Sequence, residues 1–332
     1  MFTPEKKLLS AVLLCALAAC GGSTDDAPPA ASGAGGSAGT GGSAGAGGGA
    51  PTSALSCPDG LKISSGLNSG VQIGEFPRSF QIDFPTSASK PPAVVFQWHG
   101  FGDTVANFRG ALGLSPDLDP DLPLVLVTVD DLGLIPTRGL DWALFDAGAA
   151  DDPNPDLLLF SSVAGCLIRD HGVDPARVYS VGFSAGAVMT NLVSSAFPRD
   201  VAATVAFSGA WFNDAPEAAA VNPLNFKITY AWPALDPASP VPVMITHGGP
   251  TDTYSNLGSQ IIDFEKSAAL AAPFLTAAGR EVVDCAHTSG HTPDPHVKAS
   301  LILQFFKDHP RGAPAAWKTT PPAALPASCK VL

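Results

Sequence analysis

A series of short apolar runs, each stopping in small or polar residues, constrains this chain more than any other feature. They are "PPAVVFQWHG" (91–100), "LPLVLVTVDD" (122–131), "ARVYSVGF" (176–183), "VAATVAFSGA" (201–210) and "VPVMITHG" (241–248). Runs of this length and character read as strands covered on both faces. "SFQIDF" (79–84) alternates polar and apolar residues, as a strand with one covered face does. Helix-like stretches lie near 155–170, 185–196, 260–274 and 296–308. The alternation predicts an α/β fold with a mostly parallel central sheet covered by helices on both faces. In such sheets the ligand site lies at the carboxyl ends of the strands. The span from Cys57 to Leu332 suits one domain, and no internal repeat calls for two.

The pattern G-x-S-x-G occurs three times, as "GGSAG" at 35–39 and 41–45 and as "GFSAG" at 182–186. Residues 21–50 hold 12 of the chain's 34 glycines and no large apolar residue. Nothing there offsets the entropy of ordering, so residues 20–56 read as a flexible tether whose serines have no scaffold. The third match differs. Arg177–Gly182 reads as a buried strand and Ala185–Ala196 as a helix, with Ser184 at the sharp turn between them. That arrangement is a nucleophile elbow: it lifts the hydroxyl above the sheet and directs the free N–H groups of a helix start at any anion forming beside it.

Ahead of the tether, Lys6 and Lys7 precede "LLSAVLLCALAA" (8–19), an apolar run too short to span a bilayer and shaped like an export signal. It ends at "LAAC" with Gly21 next, which resembles a bacterial lipoprotein box with Cys20 as the lipidated residue. Position 21 is not Asp, and the resemblance then favours the outer membrane or cell surface. Cleavage after "ALA" (16–18), with release of the chain, is the alternative. The expected organisation is a signal peptide at 1–19, the tether at 20–56 and a catalytic domain at 57–332, with membrane contact through the N-terminal lipid alone. Removing residues 1–19 leaves a formal charge of −13, which argues against nucleic acid as a partner. Cys57, Cys166, Cys285 and Cys329 remain, enough for two disulfides in an exported protein. Of the three connectivities, Cys166–Cys285 is the least favoured, because the two should sit toward opposite ends of a helix and a strand.

A serine hydroxyl needs a base within hydrogen-bond reach and a third group to orient that base. On this kind of scaffold the chain order is serine, acid, histidine. "VPVMITHGGPTDTY" is a strand followed by a loop bearing Asp252, and "DCAHTSGHTPDPH" is a strand end followed by a loop bearing His287, His291 and His296. His291, mid-loop after Gly290, is the preferred base, with His287 and His296 as alternatives; Asp130 and Asp131 are weaker candidates for the acid. The three histidines lack the spacing of a known metal motif, and neither metal nor organic cofactor is expected. "QWHGFGDT" (97–104) ends an early strand, so the backbone N–H groups of Phe101 and Ala185 are the expected oxyanion donors.

"WHG" (98–100), "DPARVYSVGFSAGAVMTNL" (174–192), "THGGPTDTY" (246–254), "GHTPDP" (290–295) and "FFKDHP" (305–310) together resemble the secreted esterase family that contains polyhydroxybutyrate depolymerases and feruloyl esterases. The resemblance covers roughly residues 90–310. It implies an α/β-hydrolase fold, with Ser184 as nucleophile, Asp252 as acid, His291 as base and Phe101 and Ala185 as oxyanion donors. The chain departs from the family at Gly249-Pro250 and at Pro293 and Asp294, where relatives often carry a Trp after the histidine. Trp98, Trp142 and Trp211 fall near strand ends and are candidate substrate-binding residues. Export favours a substrate too large to import, so the expected substrate is a polyester or cell-wall ester, with a feruloyl or acetylxylan-type esterase as the alternative. A surface lipoprotein that only binds is the reading from another class; it would have no need of Ser184, Asp252 and His291 together.

Overall fold

The computed structural model describes residues 53–133, 139, 141–213, 230–256 and 259–332, and these belong to one compact unit. Cys20, the segment expected to be an export signal and the expected tether up to residue 52 lie outside the described residues. Residues 53–56, which composition alone assigns to the tether, are held against the folded body: Ser53 Oγ and the Ala54 N–H both donate to the Asp200 carboxylate. Among the described residues no helix is long and apolar enough to cross a membrane.

The chain opens with an antiparallel hairpin, β1 (Gly66–Ile73) and β2 (Phe76–Asp83), followed by β3 (Ala93–Trp98), the short α1 (Val105–Phe108), and β4 (Leu124–Val129). Next come α2 (Pro155–His171), β5 (Val178–Phe183), α3 (Ala185–Ala196), β6 (Ala203–Phe207) and β7 (Val243–His247). A small hairpin, β8 (Thr253–Asn256) with β9 (Ser259–Asp263), leads into α4 (Phe264–Ala277) and β10 (Val282–Ala286). The chain closes with α5 (Ala299–Asp308), α6 (Ala316–Thr319) and β11 (Cys329–Val331). The nine-stranded sheet has the order β1-β2-β4-β3-β5-β6-β7-β10-β11. Every pairing from β4 through β10 is parallel, and the two ends of the sheet are antiparallel.

The strands β3, β4 and β6 are buried at every residue, which is why they read as continuous apolar runs rather than alternating ones. Successive residues of a strand point to opposite faces, so one strand feeds two cores. Val94, Phe96 and Trp98 pack with α2, α3 and α4 on one face. Ala93 and Val95 pack with α5 and α6 on the other. Helix α2 begins at Pro155, with the Asn154 side chain accepting from the Asp156 and Leu157 N–H groups, and stops at Gly172, which takes φ 67°. A buried ion pair, Arg78 Nη2 to Asp156 Oδ1 at 2.7 Å, ties β2 to the start of α2.

The stretch expected as a helix over 260–274 divides in the structure. Its first residues pair as β9, and the helix starts at Phe264, where the Asp263 side chain caps the Lys266 N–H at 2.9 Å. The disulfides are Cys57–Cys166, which fastens the first described segment to α2, and Cys285–Cys329, which staples β10 to β11. The Cys285–Cys329 pair closes a loop of 44 residues and fixes a strand of only three. Replacing both cysteines with serine is expected to lower unfolding free energy by about 2–4 kcal/mol, read as a fall in the urea midpoint.

Candidate active site

Ser184 occupies the single-residue junction between β5 and α3, with φ 56° and ψ −122°. A non-glycine residue in that region costs on the order of 1–3 kcal/mol and persists only where its surroundings impose it. The surroundings here are backbone. A Cβ on Gly186 would lie 2.0 Å from the Trp98 carbonyl oxygen, and one on Gly182 would lie 2.2 Å from the Gly186 oxygen. The helix start is therefore seated directly on the end of β3. The Ser184 N–H donates to the Phe207 carbonyl at 2.9 Å, which fixes the elbow to β6 as well.

His291 comes from the loop after β10, and that loop is joined to the end of β7 and the loop that follows it by two backbone bonds, His287 N–H to His247 O and Gly290 N–H to Gly248 O. The His291 ring stacks on Phe264 (4.7 Å between centroids, 12° between planes), while Phe183 lies tilted beside it at 4.8 Å. Nε2 of His291 is 2.9 Å from Ser184 Oγ, and Nδ1 is 2.7 Å from Asp252 Oδ1. A carboxylate oxygen only accepts, so Nδ1 carries the proton and Nε2 presents its lone pair to the serine hydroxyl. Asp252 is fully buried, and its second oxygen accepts from Ser208 Oγ at 2.8 Å and from the Gly248 N–H at 2.7 Å.

The oxyanion candidates flank this serine. Ala185 is the first residue of α3, so its N–H has no acceptor within the helix. Gly100 borders Ser184, a Cβ built on it falling 3.5 Å from the Ser184 Cβ, and this brings the Phe101 peptide to the same edge. The turn bearing Phe101 is held from behind by Trp142 Nε1, which donates to the His99 carbonyl at 3.0 Å, and by Asp141, which accepts from the Gly102 N–H.

The other candidates are engaged elsewhere. His287 is buried and its Nδ1 accepts from the Ser289 N–H; His296 pairs with Asp294; His247 faces Asp284. Burial is the main reason the Asp284 carboxyl titrates above its ordinary range, and His247 and Lys330 offset part of that rise. The Asp130 carbonyl accepts from Arg78, and Asp131 faces His99 at 3.4 Å.

The three tryptophans require a correction. Trp98 and Trp142 are fully buried and Trp211 is 1% exposed, so none can touch a substrate. Trp98 and Trp142 pack edge to face inside the sheet–helix core, with Trp98 Nε1 donating to Ser180 Oγ, and Trp211 lies beneath the Arg280 guanidinium. Among the described residues, Phe101, which follows the Gly100 bordering Ser184, has a side chain open to solvent, 41% exposed and edge-on to Tyr254. Sequence reading misses Ser208 and Phe264; a serine just past a strand end and a phenylalanine opening a helix carry no distinctive signal.

Two clusters of metal-ligating residue types occur among the described residues. One contains Cys57 and Cys166, whose sulfurs are bonded to each other. The other is His99, Asp131 and Asp141, whose polar atoms lie within 4.8 Å of one another. Asp141 and Asp131 accept from the N–H groups of Gly102 and Gly133, so each carboxylate is engaged by a backbone donor.

Comparison with known proteins places the architecture. No protein-family model matches the chain. The native crystal structure of pOPH superimposes with a TM-score of 0.64 over 83% of this chain and 97% of that one, at 20% identity. The fold is that of the α/β-hydrolases. A thermostable esterase of this fold superimposes at a TM-score of 0.50 with 16% identity, covering 71% of this chain and 60% of that one. By sequence, this chain is similar to feruloyl esterase B of Talaromyces funiculosus, 27% identical over 153 residues, 44% of this chain and 41% of that protein. It is also similar to an oxidized polyvinyl alcohol hydrolase from a Pseudomonas species, 27% identical over 218 residues, 56% of this chain and 58% of that protein. The chain thus spans less than two thirds of the curated relatives it matches. These similarities are to esterases and hydrolases of the α/β-hydrolase kind.

Gly186→Ala tests the seating of the elbow. The added methyl meets backbone rather than a movable side chain, so a loss of about 1–3 kcal/mol or more is expected in thermal unfolding.

Proposed function

We propose that the protein is an exported serine esterase that hydrolyses carboxylic esters through an acyl-enzyme, with Ser184 as nucleophile, His291 as base and Asp252 as acid. The observation that carries this reading is the unbroken hydrogen-bonded series from Asp252 through His291 to Ser184, set on a strained elbow. Ser184 Oγ attacks the ester carbonyl as His291 Nε2 takes its proton. The oxyanion of the tetrahedral intermediate is held by the N–H groups of Phe101 and Ala185. Collapse expels the alcohol, which receives the proton from His291. Water then repeats the sequence on the acyl-enzyme, losing its proton to His291, and releases the acid. Asp252 keeps the imidazole in one tautomer and stabilises its charge when it is protonated. Side chains, backbone and water suffice for both halves.

For the substrate, the proposal is a polymeric ester, with a polyhydroxyalkanoate polyester first. The apparent lipoprotein box at Cys20 and the long Gly-rich tether support an anchored enzyme that works outside the cell on something too large to import. A relative named for its action on a polymer, oxidized polyvinyl alcohol, supports the same direction. Feruloyl esterase B relatives favour a second reading, the release of aromatic acids from plant cell-wall esters.

Ester hydrolysis is tested with p-nitrophenyl butyrate and a fluorophosphonate probe. Wild-type protein is expected to turn over the ester and to be labelled. Ser184→Ala is expected to fold normally, resist labelling and retain less than about a thousandth of the activity. Clearing of short-chain polyhydroxyalkanoate films, set beside ferulate release from methyl ferulate, decides between the two substrate readings.

A further inference from the structure

We propose that Ser208 is a positioning residue for the triad acid, and that the carboxyl end of β6 thereby sets both ends of the Asp252–His291–Ser184 series; this rests on the esterase reading above. Ser208 follows the last residue of β6 and is fully buried. Its φ is 53°, and among the described residues the other non-glycine with positive φ is Ser184 itself. Its hydroxyl lies 2.8 Å from Asp252 Oδ2, and because a carboxylate only accepts, the hydroxyl donates. Its N–H donates to the Thr246 carbonyl at 2.9 Å, which locks it to β7, the strand whose following loop carries Asp252.

The preceding residue completes the arrangement. The Phe207 carbonyl accepts the Ser184 N–H at 2.9 Å. Phe207, the last residue of β6, and Ser208 directly after it therefore hold the nucleophile on one side and the acid on the other. The choice of serine is informative. Glycine adopts positive φ without steric cost, and a serine there retains a Cβ at a strained dihedral. A hydroxyl in use explains that choice, whereas a turn alone does not. With Ser208 and the Gly248 N–H both engaging Oδ2, only Oδ1 is presented to His291. Without the hydroxyl only the Gly248 N–H holds Oδ2, so the carboxylate and the imidazole it orients are less firmly fixed.

Ser208→Ala and Ser208→Gly, assayed with p-nitrophenyl butyrate and by thermal unfolding, separate the hydroxyl from the backbone. Both variants lose a hydrogen bond to a charged group, so both are expected to lose about ten- to a hundredfold in kcat, with KM within about twofold of wild type. The glycine variant is expected to melt no lower than the alanine variant, because it sheds the Cβ strain. Wild-type kcat in the glycine variant, or a rise in KM at unchanged kcat, overturns the proposal. A glycine variant that fails to fold overturns it too, since the serine would then be holding the fold rather than the acid. Should alanine alone fail to fold, the glycine variant decides. A wild-type protein inert to both ester and fluorophosphonate defeats the esterase reading itself, while a labelled wild type with unaffected variants defeats only the role given to Ser208.

Discussion

The seating of the α3 start on the end of β3 is the contact on which the rest of this structure depends. Backbone meets backbone there, with no space for a side chain at Gly186, and the closeness forces the chain through Ser184 at a dihedral that costs energy. The compensation comes from burial: α3 is buried from Ala185 through Ser195, and Val188, Met189, Leu192 and Val193 join one of the two cores. A hydrophobic helix is thus what holds a hydroxyl in an unfavourable position. Loosening the helix would relax the elbow before any residue of the site is altered.

The site is also supported from below and behind by groups that would never touch a substrate. The Arg78–Asp156 pair is completely buried, and the second Asp156 oxygen accepts the Ala143 N–H at 2.7 Å. Ala143 directly follows Trp142, whose indole N–H holds the His99 carbonyl of the turn bearing Phe101. An ion pair of this kind contributes little net stability, because desolvation offsets attraction, but removing one partner leaves an uncompensated charge. Its role here is geometric: it aligns a loop that has little secondary structure of its own.

Much of this architecture is legible in the residues, and the parts that are not have physical reasons. Buried parallel strands must be apolar along their whole length, so β3 through β7 stand out. The edge elements do not: β1 is half exposed and contains Gly, Asn and Ser, and β11 is three residues held in place by a disulfide. β9 reads as the start of a helix because "SQIID" runs straight into the α4 sequence, and its pairing with β8 decides otherwise. In the site, chain order and a loop glycine single out Ser184, Asp252 and His291, which the structure brings within hydrogen-bond reach. The tryptophans mislead, because a residue at a strand end points into one core or the other as readily as into the cleft, and only packing decides. Ser208 is invisible in the sequence because its importance lies in a dihedral angle and in a partner 44 residues away.

The distances along the chain between the residues of the site have a consequence for how this molecule comes into being. Ser184 and His291 are 107 residues apart, and β6 and β7 lie in the sheet between the strand that precedes Ser184 and β10, which precedes His291. No fragment that lacks the C-terminal third can assemble the relay, and no early folding intermediate can either, since nonlocal contacts form late. The Asp252–His291–Ser184 hydrogen-bonded series is therefore a reporter of the finished topology: a nascent or clipped chain cannot hold it, and its presence announces that the last strands have docked.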